Sequence, residues 1–318
     1  MNTIRRRTFI AGLGAAAWPL PARAQQRAVP LIGLLEIGAR VDYLTAAFRQ
    51  GLTDQGYVEV DLVRRGADNL VALSSAAMDL VEQGVAALFT PNFASARAAK
   101  LATKTVPIVF TTGTDPVEFG LVASLNRPGG NITGVSFLTV LLTAKRLQLL
   151  HELLPAVNTI GFLTGGGAPQ LDKEIELAQA AAGVLGVRLL VERTNKLEAG
   201  FAALAQEHVG GLLLSGNLGV LDQGQQLVAL AARHGLPTIF PYRESVVAGG
   251  LFSYGASLSD AWRLAGTYVG RVLKGEKPSD LPVQQSTRIE MVLNLRTAKA
   301  LGIEVPTSIL LRADEVID

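Results

Sequence analysis

Several side chains that could bind a small polar molecule directly follow short apolar runs of this chain. Glu36, Asp115 and Glu244 are acidic, and each could form an ion pair with the ammonium group of a ligand. Amide, hydroxyl and aromatic side chains occupy comparable positions after other apolar runs. We predict the following ligand-binding residues: Glu36, Asn92, Phe93, Ser95, Thr111, Asp115, Thr164, Asn217, Tyr242, Glu244 and Tyr254.

The start of a predicted helix at Ala94–Ser95 offers a site for an anion. The first backbone N–H groups of a helix have no partner within it, so they can hold a carboxylate without lysine or arginine. Under this hypothesis Phe93 and Tyr242 would cover an apolar part of the same ligand. A simpler interpretation stays open, in which Asn92 and Asn217 only cap helices.

The chain shows no arrangement of residues that indicates catalysis, a resident metal or a cofactor. It has no cysteine and three histidines, which excludes disulfides, thiolate metal sites and a lipid-modified cysteine. His151-Glu152 begins a zinc-protease motif, but Pro155 occupies the position of the second histidine. Gly165-Gly166-Gly167 lacks both the third fingerprint glycine and a following lysine. We therefore predict that the chain has no catalytic residues, no metal ligands and no cofactor, and is not an enzyme.

The apolar runs that precede the candidate residues occur twice in the same order. An Ile-Gly pair within one run, an asparagine after a second and a proline before a third each recur later in the chain. The matched residues are Ile32 and Ile160, Asn92 and Asn217, and Pro107 and Pro237, so the offset is nearly the same in all three pairs. This spacing exceeds the roughly 20–50 residues of solenoid repeats and suits two similar globular lobes.

Short apolar runs alternate with helical patterns in both copies, which predicts an α/β fold. Such alternation gives parallel strands joined by right-handed crossovers, and ligands then bind beyond the carboxyl ends of the strands. We predict two similar Rossmann-like parallel-sheet lobes joined by a three-strand hinge. Lobe 1 would comprise residues 29–140 plus 249–276, and lobe 2 residues 141–248 plus 277–318, with crossings near residues 140, 248 and 278.

The N-terminal segment, residues 1–24, is typical of an export signal peptide. Arg5-Arg6-Arg7 precedes an apolar stretch and then Ala22-Arg23-Ala24, and Arg6–Ile10 fits the twin-arginine pattern. The apolar stretch, Thr8–Leu20, is shorter than the ~20 residues that span a bilayer. Removing the leader takes away four arginines and leaves 25 basic against 27 acidic residues. We therefore expect a soluble periplasmic protein that is not a lipoprotein, has no membrane span and does not bind nucleic acid.

Longer strings of the sequence resemble a known family. They include Ala47–Leu52, Pro107–Thr111, Gly120–Val135, Lys145–Leu147, Ala248–Leu251, Leu281–Gln285 and Leu293–Gly302. Together they resemble the ABC transporter substrate-binding proteins related to the tryptophan- and tyrosine-binding type, over essentially the whole chain. The resemblance implies a type I periplasmic binding fold, no catalysis, and delivery of a small solute to a membrane permease. It also implies that Asp115 lies near the hinge side of the cleft and Tyr254 near the second crossing.

These observations predict a monomeric periplasmic solute-binding protein. It would capture a small solute, an amino acid or an aromatic carboxylate, between two lobes and deliver it to an ABC importer. Two alternatives stay open: the same fold could serve as a periplasmic ligand-binding sensor component for a receptor kinase, or the chain could be an exported enzyme. The absence of a nucleophile–base pair in the sequence disfavours the enzyme.

Overall fold

The computed structural model describes residues 29–37, 41–67, 69–137, 139–166, 169–218 and 223–318. The predicted leader, residues 1–24, therefore lies outside the described residues. Within those ranges the strands form two sheets, one of six strands and one of seven. Each sheet belongs to its own lobe, named lobe 1 and lobe 2 in chain order.

The sheet of lobe 1 is parallel throughout. Its strands are β1 (Leu31–Ile37), β2 (Asp61–Ala67), β3 (Ala87–Thr90), β4 (Ile108–Thr112), β5 (Ile132–Ser136) and β11 (Gln284–Gln285). They lie in the order β11-β5-β4-β3-β1-β2. Strand β1 is a nearly unbroken apolar run with a buried interior, as expected of a central parallel strand covered on both faces.

The sheet of lobe 2 is mixed, because one of its pairs is antiparallel. Its strands are β6 (Thr159–Thr164), β7 (Arg188–Arg193), β8 (Gly211–Leu214), β9 (Thr238–Phe240), β10 (Phe252–Ala256), β12 (Ile289–Asn294) and β13 (Glu315–Ile317). They lie in the order β13-β12-β10-β9-β8-β6-β7. The antiparallel pair joins β10 to β12, and it marks where the repeated unit ends and the additional strands begin.

Helices cover the two sheets. In chain order they are α1 (Asp42–Asp54), α2 (Leu70–Glu82), α3 (Phe93–Ala102), α4 (Thr143–Leu153), α5 (Pro169–Leu185), α6 (Leu197–Gln206), α7 (Gly224–Arg233), α8 (Arg243–Val247), α9 (Leu258–Leu273), α10 (Leu295–Ala300) and α11 (Thr307–Leu310). Helices α1, α2, α3 and α9 pack in lobe 1, and the others pack in lobe 2. Among the described residues, none of these helices is both long enough and apolar enough to cross a membrane.

The first five strands of each repeat follow the same spatial order. The order β2-β1-β3-β4-β5 in lobe 1 corresponds to β7-β6-β8-β9-β10 in lobe 2. This is one of the two common orders of doubly wound α/β sheets, and it places a ligand crevice at the strand carboxyl ends. The predicted α/β fold of two similar parallel-sheet lobes is therefore confirmed.

The structure corrects the predicted lobe boundaries beyond residue 248. Residues 249–276 are predicted to lie in lobe 1, but β10 pairs in parallel with β9 because it is the fifth strand of the second repeat. The second crossing therefore follows Ala256 rather than lying near residue 248. Helix α9 and strand β11 then return to lobe 1. The third crossing consequently follows Gln285 rather than lying near residue 278.

The three crossings lie side by side between the lobes. Ser286 N–H donates to the carbonyl oxygen of Ser136 at 2.8 Å, and Ser257 N–H donates to that of Arg288 at 2.9 Å. The first bond links the third crossing to the end of β5, and the second links it to the second crossing. Three adjacent connections of this kind allow two lobes to bend relative to one another while preventing them from separating.

Helix α9 contacts α1 backbone to backbone. A Cβ atom at Gly51 would lie 1.9 Å from the carbonyl oxygen of Arg263, and one at Gly266 would lie 2.0 Å from that of Phe48. Only a hydrogen atom fits at either position, so the two glycines allow the helices to approach closely. This contact anchors α9 to lobe 1 after the second crossing.

The contact between α1 and α9 leads to a first prediction. We expect Gly51→Ala to lower the free energy of unfolding by about 1–3 kcal/mol, because the added methyl group overpacks the interface. Gly183→Ala in α5 is the matched control, since nothing lies within 4 Å of a Cβ atom there, and it should be neutral or stabilise by up to about 1 kcal/mol. Urea denaturation measures both changes. Equal stability of the two variants would contradict the proposed packing.

Candidate functional site

A cavity of about 270 Å³ lies between the two lobes, at the carboxyl ends of their central strands. Small-molecule sites typically measure roughly 300–1,000 Å³, so a cavity of this size suits a small ligand. Its polar lining comprises Glu36, Asn92, Thr112, Thr114, Thr139, Glu174 and Asn217. Its aromatic lining comprises Phe93, Phe137, Tyr242 and Trp262.

The carboxylate of Glu36 is fixed on the lobe 1 side of the cavity. Arg64, on the neighbouring strand β2, donates from Nη1 to Glu36 Oε1 at 2.7 Å. The other terminal nitrogen of Arg64 donates to the hydroxyl of Thr45 in α1. The arginine is thus held at both ends of its guanidinium group. The ion pair and the surrounding burial keep a negative group at one defined position beside the cavity.

Aromatic rings from both lobes form the apolar walls. Phe93 meets Phe119 edge to face, with ring centres 6.0 Å apart. Phe137, at the end of lobe 1, meets Tyr242 of lobe 2 at 6.5 Å. Trp262 of α9 completes the wall. Because both lobes contribute rings to the lining, an apolar ligand group in the cavity would meet aromatic surface from each lobe.

Tyr242 also has a fixed polar end. Its hydroxyl lies 3.2 Å from Oγ1 of Thr139, in the first crossing. Burial raises the pKa of Tyr242 to about 12, although the hydrogen bond to Thr139 acts in the opposite direction. The phenol is therefore neutral at physiological pH and can both donate and accept a hydrogen bond.

The start of helix α3 is already capped by a side chain. Ser95 N–H donates to Oδ1 of Asn92 at 2.9 Å, and the Ser95 hydroxyl donates to the Asn92 carbonyl oxygen at 3.0 Å. The backbone N–H of Ser95 is therefore not open to a ligand carboxylate. The cap uses one lone pair of Oδ1, and the NH₂ group of the Asn92 side chain supplies two N–H donors.

A fully buried ion pair lies on the lobe 2 side. Arg146 of α4 approaches Glu174 of α5 with an Nη2–Oε1 distance of 3.4 Å. The carboxylate also accepts from the Thr143 hydroxyl at 2.9 Å, the Ser215 hydroxyl at 2.5 Å and the Asn217 amide at 3.4 Å. Burial lowers the pKa of Arg146, and the Glu174 carboxylate opposes that shift. The pair thus joins two helices to the segment that follows β8.

The structure brings a subset of the predicted ligand-binding residues to the cavity. This subset comprises Glu36, Asn92, Phe93, Asn217 and Tyr242. Ser95 and Thr111 are buried beside it: Ser95 caps α3 with Asn92, and the Thr111 hydroxyl donates to the Pro91 carbonyl oxygen at 3.0 Å. Thr164 is also buried, and its hydroxyl has no hydrogen-bond partner in the described part of the chain.

Asp115 and Tyr254 lie away from the cavity, contrary to expectation. Asp115 occupies an exposed turn, where Oδ1 accepts from the backbone N–H groups of Val117 and Glu118. Tyr254 packs against the core of lobe 2, because β10 belongs to that lobe rather than to lobe 1. Nearness to the end of a strand does not determine which way a side chain points, so neither residue lines this cavity, and their assignment as ligand-binding residues stays a prediction.

Glu244 also lies outside the cavity lining, and it forms a contact between the lobes. The hydroxyl of Tyr43, in the first turn of α1, lies near its carboxylate. Burial raises the pKa of Glu244, while a backbone hydrogen bond, the Tyr43 hydroxyl and the charge of Arg243 lower it in part. Partial burial likewise raises the pKa of Tyr43, although part of its side chain is exposed. The pair therefore links lobe 1 to lobe 2 beside the cavity rather than within it.

Two important lining residues escaped prediction. Glu174 stands among other charged residues of α5, a composition typical of a solvated helix face. Yet Leu171, Glu174, Ile175 and Ala178 follow the helical spacing of one face, and all four are buried. That spacing is the signal that could have identified it. Trp262 lies in a helix after the second crossing, and only the three-dimensional return of that helix to lobe 1 places it at the cavity.

The charges around the cavity are of one sign. Glu36 and Glu174 are its acidic lining residues, and no lysine, arginine or histidine is among the described residues that line it. The described residues also contain no cluster of three or more His, Asp or Glu suited to a metal ion. The cavity is thus better matched to a ligand with a cationic nitrogen than to one that carries only negative charge.

Comparison with known proteins gives a family and a curated relative. A family model described as ABC transporter substrate binding protein matches residues 35–317. A protein named tyrosine-binding protein, from Clostridioides difficile, is 27% identical over 280 residues, covering 83% of this chain and 78% of the relative.

Solved structures share the architecture. An ABC domain in complex with L-Trp from Streptococcus pneumonia is 25% identical, with a TM-score of 0.83 over 91% of this chain and 100% of that one. A ligand-free, open substrate-binding protein with adhesive properties from Clostridium difficile is 24% identical. Its TM-score is 0.66 over 91% of this chain and 99% of that one.

The buried position of Glu244 leads to a prediction about pH. The folded state raises its pKa above the ordinary value of 4.5, so the folded state binds this proton more tightly than the unfolded chain does. The resulting stabilisation is present below the unfolded pKa and is lost as pH rises through the folded pKa. We expect Glu244→Gln to remove this loss and to be more stable than the wild type at about pH 7, with the difference shrinking toward about pH 4.

Tyr43→Phe is the matched comparison for this prediction. It removes the hydroxyl that lowers the pKa of Glu244, so the loss of stability with rising pH should be steeper than in the wild type. Urea denaturation at several pH values gives the three profiles. If the plots of unfolding free energy against pH are parallel for Glu244→Gln and the wild type, the raised pKa of Glu244 does not contribute to the pH dependence of stability.

Proposed function

This chain belongs to the family of ABC transporter substrate-binding proteins, and we propose that it captures an amino acid between its lobes for delivery to an ABC importer. An aromatic carboxylate without an ammonium group, the other candidate from the sequence, fits the acidic lining less well. The family consists of solute-binding proteins and is not a class of enzymes. Its members bind a small molecule, have an ABC permease as partner and work outside the cytoplasm. Membership of the family does not identify the solute, so we infer the solute class from the residues that line the cavity.

The observation that supports this ligand class best is the composition of the cavity. A fixed carboxylate, Glu36, faces a space walled by aromatic rings from both lobes. An ammonium group would find its counter-ion there, and a flat apolar group would fit between Phe93 and Tyr242 or against Trp262. The tyrosine-binding relative and the complex with L-Trp point to the same class of solute.

A ligand carboxylate would be held by neutral donors. The NH₂ group of Asn92 supplies N–H donors on the lobe 1 side of the cavity. The hydroxyls of Thr112 and Thr114 line the same side and are hydrogen-bonded to each other at 2.8 Å, so together they leave one O–H donor for a ligand. Neutral donors hold a carboxylate less strongly than a guanidinium does. We therefore propose that the ammonium group and the apolar group supply most of the affinity, and that the carboxylate contributes mainly to orientation.

The proposal extends to the location of the protein. Residues 1–24 carry the features of a twin-arginine signal, and the chain has no cysteine for lipid attachment. We propose that the mature chain is a monomer free in the periplasm. The described residues between the lobes are in contact across the cleft, which is the arrangement expected when a solute-binding protein is closed.

Binding should close the two lobes. Ligand contacts both lobes only in the closed form, so it shifts the population toward that form. We expect small-angle scattering to show a smaller radius of gyration after addition of L-tryptophan or L-tyrosine. An unchanged scattering curve with saturating ligand would argue against a hinged capture mechanism.

The ligand class is tested with matched analogues. We expect L-tryptophan or L-tyrosine to raise the thermal midpoint, since a ligand at 100 times its Kd adds about 2.7 kcal/mol of stability. Indole-3-propionate lacks the ammonium group and should bind much more weakly than tryptamine, which lacks the carboxylate. The proposed ligand class fails if no amino acid produces a shift, or if indole-3-propionate binds more tightly than tryptamine.

The role of Glu36 is tested by substitution. Glu36→Gln should weaken binding of the amino acid by about 10–100-fold, because it replaces a charge-assisted hydrogen bond. Asp115→Asn is the control, since this carboxylate lies on an exposed turn away from the cavity, and it should leave the Kd unchanged. Isothermal titration calorimetry measures both constants. Equal effects of the two variants would show that Glu36 does not contact the ligand.

A further inference from the structure

The buried pair of Arg146 and Glu174 has a geometry that ordinary helix packing does not require. Arg146 is among the largest side chains that are fully buried. Removing two charges from water costs several kcal/mol for each ion, so a buried pair is weak evidence for stability. The Nε atom of Arg146 has no hydrogen-bond partner in the described part of the chain. Because the pair contributes little to stability for the desolvation that it requires, we expect its role to lie in the other residues that it contacts.

Those contacts run toward the ligand cavity. The two oxygens of Glu174 have different partners, because Oε1 accepts from Thr143 and Arg146 whereas Oε2 accepts from Ser215 and Asn217. The second set lies in the segment 215–217, which directly follows β8. The Ser215 hydroxyl in turn accepts from the backbone N–H of Asn217 at 3.1 Å. Glu174 therefore fixes both the backbone and the side chain of Asn217, which lines the cavity.

The same segment packs on other lining residues. A Cβ atom at Gly216 would lie 2.9 Å from Cγ2 of Thr139 and 3.3 Å from the hydroxyl of Tyr242. Arg146 Nη1 donates to the carbonyl oxygen of Thr139 at 3.3 Å. Thr139 belongs to the first crossing between the lobes. One buried pair thus holds the crossing through Arg146 and the ligand-facing segment through Glu174.

We propose that Arg146 and Glu174 are positioning residues that fix segment 215–217, and with it Asn217 and Tyr242, in the geometry that binds the solute. This inference rests on the proposed function and deepens it, because it assigns the lobe 2 half of the site. Neither side chain of the pair needs to bond the ligand itself, since the four interactions of Glu174 already come from the protein. The pair acts through Asn217.

The test compares substitutions on the two sides of the pair. In Glu174→Gln the new amide oxygen would stay toward Arg146, and the new NH₂ group would replace Oε2. Two NH₂ groups, that of the substituted side chain and that of Asn217, would then face each other, and the hydrogen bond from Asn217 would be lost. Ser215→Ala removes the shorter of the two hydrogen bonds from the segment to Glu174 while leaving the ion pair in place.

Thr143→Val is the comparison on the other side of the pair. It removes a buried hydroxyl that donates to Glu174 at 2.9 Å and accepts from Arg146 Nη2 at 2.6 Å, but it leaves the bonds to Thr139 and to segment 215–217 in place.

The first readout is the Kd for L-tryptophan, compared with the thermal midpoint of each variant. We expect Glu174→Gln and Ser215→Ala to weaken binding about tenfold, which corresponds to the loss of one hydrogen bond. Thr143→Val should change the Kd by less than about twofold, although its thermal midpoint falls as well. The proposal is overturned if the three variants weaken binding equally, or if binding simply follows the fall in thermal midpoint.

The second readout does not depend on the ligand. Hydrogen–deuterium exchange of the amides in segment 215–217 should be about tenfold faster in Glu174→Gln than in the wild type and unchanged in Thr143→Val. Equal exchange in Glu174→Gln and the wild type would overturn the positioning role. If the wild type binds neither L-tryptophan nor any other amino acid, the proposed ligand class is in error, while the exchange data still decide the role of the pair.

Discussion

The contact between α1 and α9 is the constraint on which the two-lobed arrangement depends. The chain leaves lobe 1 after β5, completes five strands of lobe 2 and then returns, and α9 is the element that brings it back. Glycines 51 and 266 let the two helices touch along their backbones, which fixes α9 against the core through Trp262, Phe89 and Phe48. The return adds the second and third crossings beside the first, and those crossings form the hinge. It also carries Trp262 to the cavity, so one contact between helices determines both the mechanical connection and part of the binding surface.

The two acidic residues that line the cavity differ in what their carboxylates bond to. Glu36 presents a carboxylate to the cavity and is held in place from behind by Arg64. Glu174 also lines the cavity, but its hydrogen bonds go to the protein. The two arginines that neutralise these acids are not among the lining residues. The positive charges therefore lie behind the acids, as seen from the cavity. There they orient the carboxylates without occupying the space that a cationic ligand would need. The opposite arrangement, with arginine in front, would favour anions instead.

Much of this organisation could be predicted from the sequence. Alternating apolar runs and helical patterns predicted the α/β fold, and the recurrence of the same runs at one spacing predicted two lobes, because both signals are local or periodic. Residues such as Glu36, Asn92 and Tyr242 could be placed at the cavity because parallel strands end at a common edge. The assignment of β10 could not be obtained in this way, since its pairing with β9 is a long-range property. Side-chain direction was equally inaccessible: Asp115 caps a turn and Thr111 bonds a neighbouring strand end. Glu174 was hidden by its charged neighbours, although its helical spacing placed it on the buried face.

The interleaved order of the lobes has a consequence for biosynthesis. The five strands that begin lobe 1 leave the ribosome long before α9, whose last residue is Leu273. At translation rates of ~5–20 residues per second the delay is on the order of 10 s. During that interval the nascent chain carries an α1 whose glycine-lined surface and Phe48 have no helix to cover them. Neither half of the protein can be complete as a contiguous fragment, so a chaperone that shields this surface would act on the first half of the polypeptide while the second is still being made.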